Sequence, residues 1–306
     1  MQDKIYYCEP VFRPPSEANS LLIQVTEGCT YQCDFCMSNL RKKFVIREVD
    51  DIKKDLEIGS RQKWSKNIRK IFFLDGNAMV IPTEKLLKLT NYAMKIFPKL
   101  ERIGVYAHAK DILKKSDEQL NALSEAGLKI AYVGFESGYD DLLKNVNKHA
   151  TKQNYIEASK KLMKANITLS ATFINGLGGG NNTEISQKHA NESADLVNKI
   201  CPEDDRIWYI AFLTLIIPPG TEIFKRKINR EFLEMNQIEI LHELKTFINH
   251  IKFENKNANC IFRSNHASNY LPLRGVLDRE KQKVLDVINY GLTHTEVLRP
   301  DFFRAL

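Results

Sequence analysis

Over residues 18–226, short β-branched or apolar runs alternate with longer stretches of helical periodicity. That alternation favours parallel strands joined by crossover helices, because each helical stretch carries one apolar face that a sheet must cover. The strand candidates are SLLIQVTE (20–27), KIFFLDG (70–76), IGVYAH (103–108), KIAYVGFES (129–137), TLSATFING (168–176) and WYIAFLTL (208–215). Between them, TEKLLKLTNYAMKIF (83–97) repeats apolar residues at three- and four-residue steps, with Thr83 as its expected N-cap after Pro82. SDEQLNALSEAG (116–127) opens on Ser116 and Asp117 and stops at Gly127, and residues 151–166 and 183–200 continue the pattern. Six repeats are too few to close an eight-stranded barrel, so the expected fold is α/β, a partial (β/α)6 TIM-type barrel. Residues 227–306 lose the alternation: two helix patterns, near 231–251 and 278–292, flank an irregular stretch, NCIFRSNHASNYLPLRG. The expected organisation is an N-terminal extension (1–17), a core (18–226) and a C-terminal α-rich extension (227–306) covering the barrel mouth.

The chain has 306 residues, 43% hydrophobic and 27% charged, which suits a globular protein with a sizeable core. Its longest apolar run, IWYIAFLTLII (207–217), is about half a membrane span and ends at Pro218-Pro219. The N-terminus has no basic region followed by an apolar one, so no signal peptide and a cytoplasmic location are expected. The net charge is +7, but Lys and Arg are interleaved with Glu and Asp, so neither nucleic acid nor membrane is an expected partner. Two basic stretches, RKKFVIR (41–47) and SRQKWSKNIRK (60–70), read as solvated surface, with an anionic substrate or acidic redox partner as the other reading.

In parallel α/β folds the chemistry sits where strands end. Those ends here are polar or glycine-rich: Glu27-Gly28, Asp75-Gly76-Asn77, Tyr106 to Ala109, Glu136 to Gly138, Asn175 to Asn182, and Thr214. GLGGG lacks the Gly-x-Gly-x-x-Gly spacing and follows the fifth strand, so a turn is the better reading, and ESG reads as a strand-end site or a helix cap.

Three of the six cysteines, Cys29, Cys33 and Cys36, share one loop. Soft thiolates select zinc or an iron–sulfur cluster. Zinc needs a fourth protein ligand, and no His or further Cys flanks the loop. A four-cysteine cluster needs Cys8, Cys201 or Cys260 to reach it, and the remaining option is a 4Fe–4S cluster with one iron open to a non-protein ligand.

Cys29-x3-Cys33-x2-Cys36, with Phe35 before the last cysteine, resembles the signature of the radical S-adenosylmethionine (SAM) superfamily, and GFESG and ATFINGLGGG resemble its Elp3/MiaB/NifB-type branch. The resemblance covers about residues 18–226. It implies an iron–sulfur, SAM-dependent oxidoreductase in which SAM chelates the open iron and is cleaved reductively to a 5′-deoxyadenosyl radical that abstracts hydrogen from a substrate. It implies Cys29, Cys33 and Cys36 as the metal ligands and the Phe35 backbone beside the adenine. Asp75, Gly76 and Asn77 would meet the SAM amino group largely through backbone carbonyls, in place of the family's usual Gly-Gly-Glu. Tyr106 or His108, and Glu136, would lie near the ribose and substrate. Ile174 and Phe212 to Thr214 would complete the adenine side, and Lys160 or Lys161 would supply a cation for the SAM carboxylate. Reduced flavodoxin or ferredoxin is the implied electron donor.

The substrate is expected between the barrel mouth and its cover. Within CIFRSNHASNYLPL (260–273), Arg263, Asn265, His266 and Asn269 are candidates to bond a substrate or cap the barrel, and Cys260 is a candidate hydrogen donor in the manner of some radical SAM epimerases. No second cysteine cluster and no upstream cobalamin region is expected, which favours a small-molecule substrate. A peptide or tRNA substrate, or a non-catalytic iron–sulfur electron carrier or sensor, are the alternatives.

Overall fold

The computed structural model describes residues 4–38, 40, 42–180 and 182–305. Asn39 of the cysteine loop, Arg41 of the first basic stretch and Asn181 of the fifth-strand turn lie outside the described residues.

In chain order the elements are β1 (Leu21–Gln24), β2 (Thr26–Glu27), β3 (Val45–Ile46), α1 (Val49–Ser60), β4 (Lys70–Leu74), α2 (Thr83–Ile96), β5 (Arg102–Ala107), α3 (Ala109–Leu113), α4 (Asp117–Glu125) and β6 (Leu128–Glu136). They continue with α5 (Asp140–Asn145), α6 (Lys152–Lys164), β7 (Thr168–Asn175), α7 (Thr183–Lys199), β8 (Trp208–Thr214), α8 (Glu222–Ile228), α9 (Gln237–His250), β9 (Cys260–Ser264), β10 (Leu273–Val276) and α10 (Leu277–Thr293). All six expected core strands are present, and the long helices follow where periodicity placed them. No helix among the described residues is long and apolar enough to cross a membrane.

The chain forms two compact units. The first comprises residues 1–32, 38–133 and 160–169. In it β1 pairs with β4, β4 with β5 and β5 with β6, all parallel, while β2 and β3 form a short antiparallel ribbon. Its core is aliphatic and aromatic: Ile23, Phe72, Phe73, Leu74 and Val105 are fully buried. Ser116 caps α4 in a reciprocal capping box with Gln119, as its Ser-x-x-Gln spacing requires. Thr83 is not the cap of α2. Pro82 holds that position, Thr83 is the first helical residue, and its hydroxyl accepts from Lys115 Nζ at 3.3 Å.

The second unit comprises residues 33–37, 134–159 and 170–306. In it β7 pairs with β8 and β8 with β9, both parallel, and β9 pairs with β10 antiparallel. Phe173, Phe212, Phe247 and Phe262 stack on or tilt against one another and fill its core. The stretch expected to be irregular after residue 259 therefore holds two strands. Alternating burial along β9 and β10 marks them in retrospect, but two short strands broken by NHASNYLP give too few periods to be read unaided.

Candidate functional site

The cysteine loop is anchored separately in each unit. In the first unit, Gly28 precedes Cys29 with φ +67°, a left-handed conformation that glycine adopts without a Cβ clash, and a Cβ there would also crowd Lys42 at 3.2 Å. The Gly28 N–H donates to Asp75 Oδ2 at 3.3 Å, and the Tyr31 N–H donates to Cys29 Sγ at 3.5 Å. Tyr31 stacks on His108 with ring centroids 3.7 Å apart, and its hydroxyl donates to Asp111 Oδ2 at 3.0 Å.

Asp75 and Asn77, at the carboxyl end of β4, are both buried, and their side chains are already engaged. Asp75 Oδ2 accepts from Gln24 Nε2 at 3.1 Å and forms a 2.6 Å ion pair with Lys42. Asn77 donates to Asp111 at 2.7 Å and accepts from the His108 N–H at 3.1 Å. Burial disfavours the Asp111 charge, yet donors from Lys114, Asn77 and Tyr31 hold its carboxyl below the usual range. Tyr106 packs its ring edge-on to Phe72 at 4.9 Å, and burial pushes its phenol above the ordinary tyrosine value. Asp75, Asn77 and His108 are thus brought together in the first unit, at the ends of β4 and β5.

In the second unit, Cys33 and Cys36 close a tight turn in which the Cys36 N–H donates to the Cys33 carbonyl at 3.0 Å. Asp34, between them, fixes that turn. Its N–H donates to the Val146 carbonyl, its carbonyl accepts from the Ile223 N–H at 3.0 Å, and its carboxylate accepts from Asn147 Nδ2 at 2.7 Å. Phe35 packs against a buried cluster that includes Leu142, Val146, Ile174 and Ile223.

Glu136 ends β6 with φ +64°, a conformation costing an ordinary residue about 1–2 kcal/mol. Lys148 Nζ meets its carboxylate at 2.8 Å, with both side chains 9% exposed. Burial works against the Lys148 charge, but Glu136 and the Cys33 sulfur outweigh it and hold the ammonium above the ordinary lysine range. ESG is not a helix cap. A Cβ at Gly138 would stand 2.2 Å from the Glu192 carbonyl of α7, so glycine is needed for close approach, and the Gly138 N–H donates to Ser193.

Other expected residues lie elsewhere. Lys160 is exposed. Lys161 is spent on the Lys115 carbonyl and, at 3.5 Å, on Asp117. Both sit in the last half of α6, and the buried cation near the end of β6 is Lys148, in the turn before that helix. It was missed because an isolated lysine between two helices carries no periodic signal. Strand alternation separates Ile174 from Phe212 and Thr214: in register Ile174 faces Leu213, while Phe212 joins the Phe173–Phe247 stack. Thr214 is bound by the C-terminal segment, its hydroxyl donating to Asn269 at 2.9 Å and its N–H to Ser268 at 3.2 Å. Cys260 is fully buried and in register with Trp208, the first residue of β8, so it lies at the opposite end of that strand from Thr214. The hydrogen-donor expectation for Cys260 therefore loses its geometric basis. Two cations of the first basic stretch are not solvated either: Lys42 pairs with Asp75, and Arg47 with Asp55 at 2.7 Å under cover, while Lys43 is exposed.

The profile of the radical SAM superfamily matches residues 23–188, more than half of the chain and all of the strand-end groups just described up to β7. The chain belongs to the radical SAM superfamily. It is 27% identical over 225 residues to a bacteriochlorophyllide d C-12(1)-methyltransferase of Chlorobaculum tepidum, covering 71% of this chain and 45% of that protein. It is 23% identical over 180 residues to a tRNA-2-methylthio-N(6)-dimethylallyladenosine synthase of Bdellovibrio bacteriovorus, covering 57% and 38%. The chain thus spans less than half the length of these two relatives. Among solved structures, methylornithine synthase (PylB) superposes with a TM-score of 0.52 at 12% identity over 89% of this chain and 81% of that one. That likeness concerns the fold, and it agrees with the parallel (β/α) repeats.

Radical SAM proteins bind a 4Fe–4S cluster and SAM, and the three cysteines present fit the cluster. Cys29, Cys33 and Cys36 are all partly exposed, in a loop whose Cys33–Cys36 turn is closed by a backbone hydrogen bond. A backbone N–H already points at Cys29 Sγ, the arrangement that stabilises a ligating thiolate.

Proposed function

We propose that this chain is a radical SAM enzyme acting on a small molecule, with Cys29, Cys33 and Cys36 holding the cluster. When bound, the cluster and SAM supply the reductive cleavage that yields a 5′-deoxyadenosyl radical for hydrogen abstraction. The protein's own part is orientation. Phe35 and Ile174 share one apolar cluster and offer a wall for the adenine, with Leu213 beside Ile174. Glu136, strained and paired with Lys148, offers a fixed acceptor for the ribose, and Lys148 is the cation of choice for the SAM carboxylate. The Gly76 carbonyl and its neighbours remain the contacts for the SAM amino group, since the Asp75 and Asn77 side chains are occupied. Reduced flavodoxin or ferredoxin is the proposed electron donor.

The small-molecule reading rests on the fate of the basic stretch. Lys42 and Arg47 are consumed in buried ion pairs and are not offered to a nucleic-acid backbone. The tRNA-modifying relative keeps a second reading in play. Anaerobic reconstitution with iron and sulfide, followed by dithionite and SAM, should yield 5′-deoxyadenosine above a Cys29/Cys33/Cys36 triple-alanine control. No excess product would leave an iron–sulfur carrier or sensor as the reading. Stimulation of that product by the low-mass fraction of a cell extract, and not by purified tRNA or protein, is the expected sign of a small substrate; stimulation by tRNA reverses the assignment.

A further inference from the structure

Three donors from separated points of the chain converge on one buried carboxylate. Asp75 Oδ2 accepts from Gln24 Nε2 at 3.1 Å, from the Gly28 N–H at 3.3 Å and from Lys42 Nζ at 2.6 Å. Its other oxygen accepts from the Gly76 N–H at 2.9 Å. The Lys42 and Asp75 side chains are 2% and 4% exposed. Gly28 immediately precedes Cys29, and Lys42 lies six residues beyond Cys36, so the carboxylate grips the chain on both sides of the cysteine loop. Lys42 also donates to the Pro10 carbonyl, and Gln24 clamps Cys8 through its N–H at 2.7 Å and its carbonyl at 3.3 Å. Asp75 Oδ2, with three donors in place, has no lone pair left for a further ammonium group, and Oδ1 is already bonded to the Gly76 N–H.

We propose that Asp75, with Lys42, is a positioning residue that clasps the base of the cysteine loop, rather than a ligand of the SAM amino group. The two residues hold the first ligand in the geometry a cluster needs, and the SAM amino group is left to backbone carbonyls. The charge pair suits this role: a buried carboxylate gripping an ammonium is costly to open by one partner, so the loop ends stay together during cluster loading. The inference rests on Cys29, Cys33 and Cys36 being the cluster ligands.

The test uses the full chain, reconstituted anaerobically, with two readouts: release of iron to a ferrous chelator, and the change in the electron paramagnetic resonance spectrum of the reduced cluster as SAM is titrated. D75N and K42M should each release iron about tenfold faster than the wild type, the double variant should be no worse than either single, and the half-saturating SAM concentration should hold within about twofold in all three. K42R, which keeps the cation, should release iron at the wild-type rate. Wild-type iron release in D75N and K42M, with D75N alone needing more SAM, would overturn the clasp in favour of a SAM contact. If D75N does not fold, as judged by far-ultraviolet circular dichroism, K42M decides alone, since Lys42 lies in a loop outside the strands, and wild-type release from it overturns the proposal. A wild-type chain that takes up no cluster fails the ligand reading instead, and is distinguished by its lack of iron before any variant is compared.

Discussion

Lys148 donates to Glu136 across 2.8 Å, and the carboxylate it holds belongs to a residue with a positive φ. The pair explains how a strained, charged residue persists at the end of β6: Lys148 neutralises it and ties it to the turn that follows α5. Removing one partner leaves the other buried and unpaired. Glu136→Ala and Lys148→Met are each expected to lower the unfolding free energy of the apo chain by about 3 kcal/mol, while the double variant recovers part of that loss. Urea denaturation of the four proteins checks this, and strictly additive losses would show that the pair contributes no coupling.

Asp34 should matter for cluster retention more than for the fold. It sits in a two-residue spacer, yet its backbone and carboxylate bind Val146, Ile223 and Asn147. Asp34→Ala keeps both backbone bonds and loses the Asn147 hydrogen bond and the 3.9 Å pairing with Arg226, a change worth about 1–2 kcal/mol. The far-ultraviolet spectrum should be unchanged, whereas iron per chain after gel filtration should fall. Equal loss of iron and helicity would mean that the residue is structural only.

The sequence carried the architecture because it is periodic, and it set the proposed cluster ligands in view because they are local. Six apolar runs marked six strands, and three cysteines within one loop marked the proposed cluster site. What it hid was pairing over distance. Lys42 looked like part of a basic surface stretch, and only folding brings it to Asp75, 33 residues away. Lys148 carried no signal at all. Side-chain direction was the other gap: the expectation took Phe212 to Thr214 together because they lie at a strand end, but alternation puts only Leu213 on the face it shares with Ile174. Cys260 shows the same limit from the other side, since register alone puts it beside Trp208 at the start of its neighbour.

That alternation can be tested directly. Phe212→Ala opens a hole beside Phe173, Phe247 and Phe262 and should cost about 3–5 kcal/mol of stability with little change in SAM affinity. Leu213→Ala, on the Ile174 face, should cost less stability and raise the SAM concentration needed for half-maximal 5′-deoxyadenosine formation. The opposite pattern would place the cofactor on the Phe212 face.

Lys115 offers a pH test of the first unit. It is 6% exposed, between α3 and α4, and donates to the Ile81 carbonyl at 2.9 Å and to the Thr83 hydroxyl at 3.3 Å. Burial pushes its amine down to about 8, with Asp111 only partly opposing. An unfolded lysine titrates near about 10.4, so between these values the unfolded chain holds a proton that the folded chain has released. Stability from this group is therefore fully present above the unfolded value and is lost as pH falls through about 8. The neutral amine still has two hydrogens for its two acceptors, so deprotonation breaks neither bond. Lys115→Met lacks the titration and strands the Ile81 carbonyl, at a cost of about 1–3 kcal/mol. Urea midpoints taken between about pH 8 and about pH 10 should show the wild type gaining on the variant as pH rises. A gap that stays constant over that range would mean that the amine remains charged in the fold, and that burial does not govern it.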